Sequence, residues 1–106
     1  MKRFSAAFAC FALLAKPVPL AAAETCGWYV VLGCDRSEAA MARKRAIIAA
    51  LADDGTTRAK VVRTDDYPNF RDGWYCLVDG PFESRGRAAS VDWGETVGET
   101  YVKSGC

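Results

Sequence analysis

WYVVLGCDRSEAAMA, residues Trp28 to Ala42, returns in altered form 47 positions later as YCLVDGPFESRGRAA, residues Tyr75 to Ala89. Each copy opens on an aromatic residue, runs through short apolar positions to a glycine, and then reaches a serine and an alanine-rich stretch. Gly33 falls on Gly80 and Ser37 on Ser84 at the same offset. β-branched and aromatic residues ahead of each glycine predict a strand, and a serine ahead of alanines predicts a capped helix. Two strand-then-helix units in a small chain point to an α+β plait.

Working outward, the first strand is expected over Trp28 to Gly33. Asp35, with Glu38 three residues on, offers a capping box for the next helix, and Ser37 is a competing cap. That helix is expected from Glu38 to Asp53, with Ala39, Ala46, Ile47, Ala50 and Leu51 as its sheet-facing stripe and Gly55 as its left-handed stop. Ala59 to Thr64 reads as a second strand, residues 65–73 as a loop, and Trp74 to Asp79 as a third strand stopped by Gly80 and Pro81. Ser84 opens a second helix weakened by Gly86 and Gly94, and Glu99 to Lys103 closes the domain as a fourth strand. The order β-α-β-β-α-β predicts a ferredoxin-like split β-α-β plait: a four-stranded antiparallel sheet with both helices on one face and spatial order 4-1-3-2.

That topology selects a cysteine pairing. The start of the first strand meets the end of the fourth, which brings Cys26 to Cys106; the end of the first meets the start of the third, which brings Cys34 to Cys76. Strict alternation sets Cys34 and Cys76 on opposite faces, so the second bridge requires the first strand to be breaking at Cys34.

Ahead of the repeat, Lys2 and Arg3 precede an apolar run from Phe4 to Ala15, and Ala21, Ala22 and Ala23 offer a small-residue cleavage site. Residues 1–23 are read as a signal peptide and 24–106 as a single domain. The run is too short for a comfortable membrane span, and Phe8 stands where a lipoprotein site at Cys10 wants a small residue. Cleavage leaves 83 residues with 11 basic and 13 acidic side chains, a net charge of −2, so no general affinity for nucleic acid is implied. Arg43, Lys44 and Arg45 spread around a helix and read as a solvated face.

Four cysteines remain after cleavage, an even number that favours disulfides in an exported domain. There is no histidine and no C-x-x-C spacing, which removes the usual zinc and redox signatures and the histidine-activated nucleophiles. The pairs Asp53–Asp54 and Asp65–Asp66 stand beside Gly55 and Pro68 and read as turns. No catalysis, cofactor or metal is expected.

Leu32-Gly33 followed by Ser37, and Gly80-Pro81-Phe82 with Ser84 and Ala88, resemble the SPOR (sporulation-related repeat) domain over about residues 28 to 103. The stretch DDYPNFRDGWYCLVDGPFESR is similar to the loop and third strand of a SPOR-like subgroup in secreted and cell-surface proteins. The resemblance implies a periplasmic or secreted module that holds peptidoglycan glycan strands on the open face of its sheet. By alternation that face shows Tyr29, Val31, Cys76 and Val78, with valines where the family often has polar groups.

The candidate glycan-binding residues are Tyr29, Val31, Arg63, Val78, Tyr101 and Lys103. Trp28, Trp74 and Tyr75 are expected in the core or at the sheet edge, Phe82 over the end of the second helix, and Arg71 paired with Asp72 or neighbouring acids. Asp79 occupies an inward position of the family and is expected to cap a turn at Gly80. The alternative function is a small disulfide-stabilised protein-interaction domain, for example for a cell-envelope partner, that uses the apolar sheet face.

Overall fold

A computed structural model describes residues 26–94 and 97–106. The expected signal peptide, residues 1–23, lies outside them. The elements are β1 (Trp28–Asp35), α1 (Glu38–Ala50), β2 (Lys60–Arg63), β3 (Tyr75–Phe82), α2 (Arg85–Ala89) and β4 (Tyr101–Ser104), with a 3-10 turn at Thr64–Asp66. All strand pairs are antiparallel and the sheet order is β2-β3-β1-β4. This is the expected split β-α-β plait.

Both expected disulfides are present, Cys26 with Cys106 and Cys34 with Cys76. The parity conflict is resolved by a bulge. Val31 lies opposite Val78, but Gly33 lies opposite Leu77 and Cys34 opposite Cys76, so one extra residue enters β1 between Val31 and Gly33. A bulge shifts every later side chain to the other face, and Cys34 thereby joins the face of Cys76.

The strands run past both repeat glycines instead of ending at them, β1 to Asp35 and β3 to Phe82. Gly80 has φ of +144°, and a Cβ there would stand 2.7 Å from the Trp28 carbonyl oxygen. The register of β1 against β3 shifts here as well, between Trp28 and Val30, and the close approach of the two backbones demands glycine.

One face of the sheet packs Val30, Leu32 and Leu77 against Met41 of α1 and Ala88 of α2. Ser37 is the cap of α1, accepting from the Ala40 N–H at 3.1 Å. Asp35 instead accepts the Ser37 N–H at 2.7 Å, so the capping box through Glu38 does not form. The helical stripe is also corrected. Met41 is buried and Ala40 and Ile48 pack on the core, whereas Ala39, Ala46, Ile47, Ala50 and Leu51 are exposed. The helix is turned because its basic run is used: the Lys44 ammonium donates to the Leu32 carbonyl at 2.8 Å and Arg45 Nε to the Ala59 carbonyl at 2.7 Å. Only Arg43 of the three keeps to the solvated role, since the other two tie α1 to the backbone beside it.

Helix α1 ends at Ala50 with Leu51 as its cap, earlier than expected, and Gly55 at φ of +74° closes the following turn. Asp54 works within that turn, accepting from the Thr56 hydroxyl and N–H. Those bonds hold its carboxyl below the ordinary range, the hydroxyl contributing most. The turn is thus favoured above the ordinary carboxylate range and loses this contribution as pH falls through the depressed value.

Asp79 does not cap a turn. It is buried and receives Arg58 through Nε at 2.9 Å and Nη2 at 2.7 Å, while the Trp93 indole N–H donates to it at 3.1 Å. The hydrogen bonds that Arg58 donates to Asp79, and then the charge of Asp79, raise the Arg58 pKa above the ordinary arginine value. A raised value on a cation means that the contribution is fully present below the ordinary arginine range, hence throughout neutral pH. Arg58→Ala is expected to cost about 3 kcal/mol in urea unfolding. That is the low end for breaking a buried pair, since Arg58 itself reaches water. A loss under about 1 kcal/mol would show that water already solvates the carboxylate. Arg58→Met combined with Asp79→Leu is expected to recover part of the loss.

Candidate functional site

The sheet face away from the helices carries Tyr29, Val31, Cys76 and Val78, as alternation requires, but it is not open. Tyr67 and Phe70, from the segment between β2 and β3, lie on it. Tyr29 is 0% exposed, Val31 1% and Val78 0%. The three residues expected at the centre of a glycan surface are therefore a second hydrophobic core.

The covering segment is built by local bonds. Thr64 closes its base, donating from its hydroxyl to the Trp74 carbonyl and accepting the Trp74 N–H, at 3.0 and 2.9 Å. Asp65 accepts the Gly73 N–H at 2.8 Å. Two successive turns, Tyr67 N–H to the Thr64 carbonyl and Phe70 N–H to the Tyr67 carbonyl, repeat every three residues. That spacing sets both aromatics on one side, stacked with ring centroids 4.9 Å apart and planes inclined by 28°. Tyr29 meets both rings edge-on, at 5.4 and 6.2 Å. At its far end the segment reaches β4, where Asn69 Nδ2 donates to the Ser104 carbonyl at 3.0 Å and the Asn69 N–H to the Gly105 carbonyl at 3.3 Å.

What remains open is a groove of about 300 Å³ beside the covering segment. The Cys34–Cys76 bridge contributes to its lining, with Phe70, Arg71 and Trp74 from the loop side and Tyr101 and Lys103 from β4. Its volume is at the small end of the range for ligand clefts. Tyr101 is 55% exposed. Tyr101 pairs with Val31 and Lys103 with Tyr29, so both belong to the same sheet face. The Lys103 ammonium stands 5.9 Å from the centre of the Phe70 ring.

Among the described residues the ion pairs are Arg58–Asp79 and Arg63–Asp65. The expected pairing of Arg71 with an acid is absent from them, and Lys103 is in neither. Arg63 lies on β2, outside the groove lining, and its exposed contact with Asp65 at 3.1 Å contributes little. Of the six candidate residues, then, the groove brings together Tyr101 and Lys103, the covered face holds Tyr29, Val31 and Val78, and Arg63 stands apart.

The sequence reading did not assign Phe70, Arg71 and Trp74 to a site. Trp74 is half-buried and carries the Arg36 guanidinium 4.5 Å from its ring centre. Trp28, Tyr75 and Phe82, by contrast, pack against the helix-side core. One signal was available: an aromatic at each end of a polar, proline-containing loop, Tyr67 and Trp74, marks a loop that packs rather than one that extends into solvent.

A larger groove of about 440 Å³ lies on the helix side, lined in part by Leu51, Asp54, Arg58, Asp92 and Trp93. Its cation is already committed to Asp79. No helix among the described residues is long and apolar enough to cross a membrane. No family model matches the chain, and no curated protein or solved structure does so either.

Proposed function

We propose that this chain is a SPOR-like, non-catalytic module that is exported to the periplasm or secreted and binds peptidoglycan glycan strands, with its contact surface in the groove between the covering segment and β4. The observation that carries the reading is the conjunction of Trp74 and Tyr101 with Arg71 and Lys103 around one cleft. Aromatic faces stack on pyranose rings while polar and charged groups meet sugar substituents, and a cleft excludes the water that competes with both. Two disulfides in so small a domain fit an oxidising compartment. The motifs that resemble those of the SPOR domain, and the plait fold, support the same reading.

The test is co-sedimentation of the oxidised domain with purified cell-wall sacculi, before and after an amidase strips the stem peptides. Stronger binding to stripped walls is expected. Tyr101→Ala is expected to weaken it roughly three- to tenfold, the scale of one aromatic contact, and to change stability by less than about 0.5 kcal/mol because the side chain is largely exposed. Failure to bind either preparation would overturn the reading.

A second reading is a protein-interaction domain. The apolar sheet face that first suggested it is covered, but Ile47 and Leu51 are 57% and 63% exposed on α1. Together with Ile48 and Val97 they line a cleft on the helix side, and exposed apolar surface of this kind marks interaction sites.

A further inference from the structure

We infer that the groove beside the Cys34–Cys76 bridge selects an acidic sugar, a pyranose that carries a carboxylate, over a neutral one; this rests on the glycan-binding reading and specifies its ligand. The eight residues around the groove are Cys34, Thr64, Phe70, Arg71, Trp74, Cys76, Tyr101 and Lys103. Two are cations and none is an acid. The domain from residue 24 onward carries a net charge of −2, so an acid-free cleft with two positive groups runs against its overall balance.

Neither cation is spent elsewhere in an ion pair among the described residues. The contrast with Arg58 is instructive: it also lines a groove, but both of its bonding nitrogens are held by Asp79. Arg71 presents a planar fork suited to two parallel bonds with a carboxylate, and Lys103 adds a compact charge from the facing strand. Between them the Cys34–Cys76 bridge and the Phe70 ring supply apolar lining, which lowers the local dielectric and strengthens attraction to an anion. Trp74 and Tyr101 add ring faces for the sugar itself. A carboxylate alone would leave those rings unused, and a neutral sugar would leave both cations without an anionic partner.

Two sources offer this chemistry: the lactyl carboxylate of muramic acid, freed when a stem peptide is removed, and the carboxylate of a uronic acid in a free polysaccharide. Titration calorimetry of the oxidised domain separates them with three probes: soluble peptide-free wall glycan, oligogalacturonate and neutral chito-oligosaccharide of equal length. The wall glycan is expected to bind at least about tenfold more tightly than the neutral oligomer, the scale of one charge-assisted bond, and the preference is expected to shrink in high salt. Arg71→Gln and Lys103→Gln are each expected to weaken the wall glycan more than the neutral oligomer, shrinking that preference at least about threefold, with the melting temperature unchanged.

Equal affinity for neutral and acidic oligomers would overturn the acid selectivity and leave the glycan reading standing. Binding of oligogalacturonate alone would support the acidic-sugar groove and overturn the wall as its target. Binding of none would overturn both. An acid preference untouched by either glutamine variant would place the selectivity outside this groove and overturn the inference.

Discussion

Replacing Cys26 and Cys106 together by serine is expected to lower the unfolding free energy by about 4.5 kcal/mol, the value that the chain-entropy relation gives for residues 80 apart. The bridge joins the chain just before β1 to the chain just after β4, so without it only the inner bridge still constrains the unfolded ensemble. The inner bridge, Cys34 to Cys76, spans 42 residues and constrains only part of the same loop. Few native contacts replace the outer bridge at this end of the sheet. The Gly105 N–H donates to the Gly27 carbonyl at 2.8 Å, and β4 pairs with β1 over four positions. Since small domains have only about 5–15 kcal/mol in total, the variant is expected to be close to its unfolding threshold. Urea unfolding of the oxidised parent and the double-serine variant measures the difference. A loss under about 1 kcal/mol would mean that the unfolded chain is already held compact by the inner bridge.

The agreement between that pairing and the topology explains how much of the fold was legible. Alternation of Val30 and Leu32 with Tyr29 and Val31 carried face information, and the repeat carried element order. What pattern could not carry was any departure from strict periodicity. The bulge between Val31 and Gly33 inverts the faces of Gly33 and Cys34, and only the need for a Cys34–Cys76 bridge hinted at it. Helix α1 was assigned the wrong stripe because alanines at many positions leave its phase nearly degenerate. The degeneracy is broken by Met41 in the core and by Lys44 and Arg45 bonding to backbone carbonyls, tertiary events with no trace in a period of 3.6.

For the candidate site, Tyr101 and Lys103 were placed correctly on a face, because β4 alternates regularly. Arg71 and Trp74 were not, because they belong to an irregular segment whose course depends on where it lands. The same segment converts the expected open face into an interior. Asp79 escaped for a related reason: its partner Arg58 precedes β2 by two residues, in a stretch with no periodicity, so nothing in the sequence announced a buried carboxylate with three donors.

Tyr29→Ala is expected to destabilise the domain by about 4 kcal/mol, the cost typical of truncating a fully buried aromatic side chain. The residue is 0% exposed and its ring meets Tyr67 and Phe70 edge-on. Removing it takes away the contact on which both covering rings rest and leaves a cavity beside Val31 and Val78, which belong to the same cluster. The consequence for function is opposite to that of a surface platform: binding per folded molecule is expected to be retained, because the groove is lined by Tyr101, Lys103, Arg71 and Trp74 and not by Tyr29. Phe70→Ala is the informative companion, since Phe70 belongs to both the covering cluster and the groove; it is expected to lower stability and binding together. Thermal and urea unfolding with sacculus binding on each variant separates the two effects. A Tyr29→Ala domain with stability within about 1 kcal/mol of the parent but lost wall binding would mean that the 64–74 segment lifts from the sheet in solution. The ligand would then meet Tyr29, Val31 and Val78 on an open face after all. Retained binding with large destabilisation assigns those three side chains to the core and leaves recognition to the groove at the edge of the sheet.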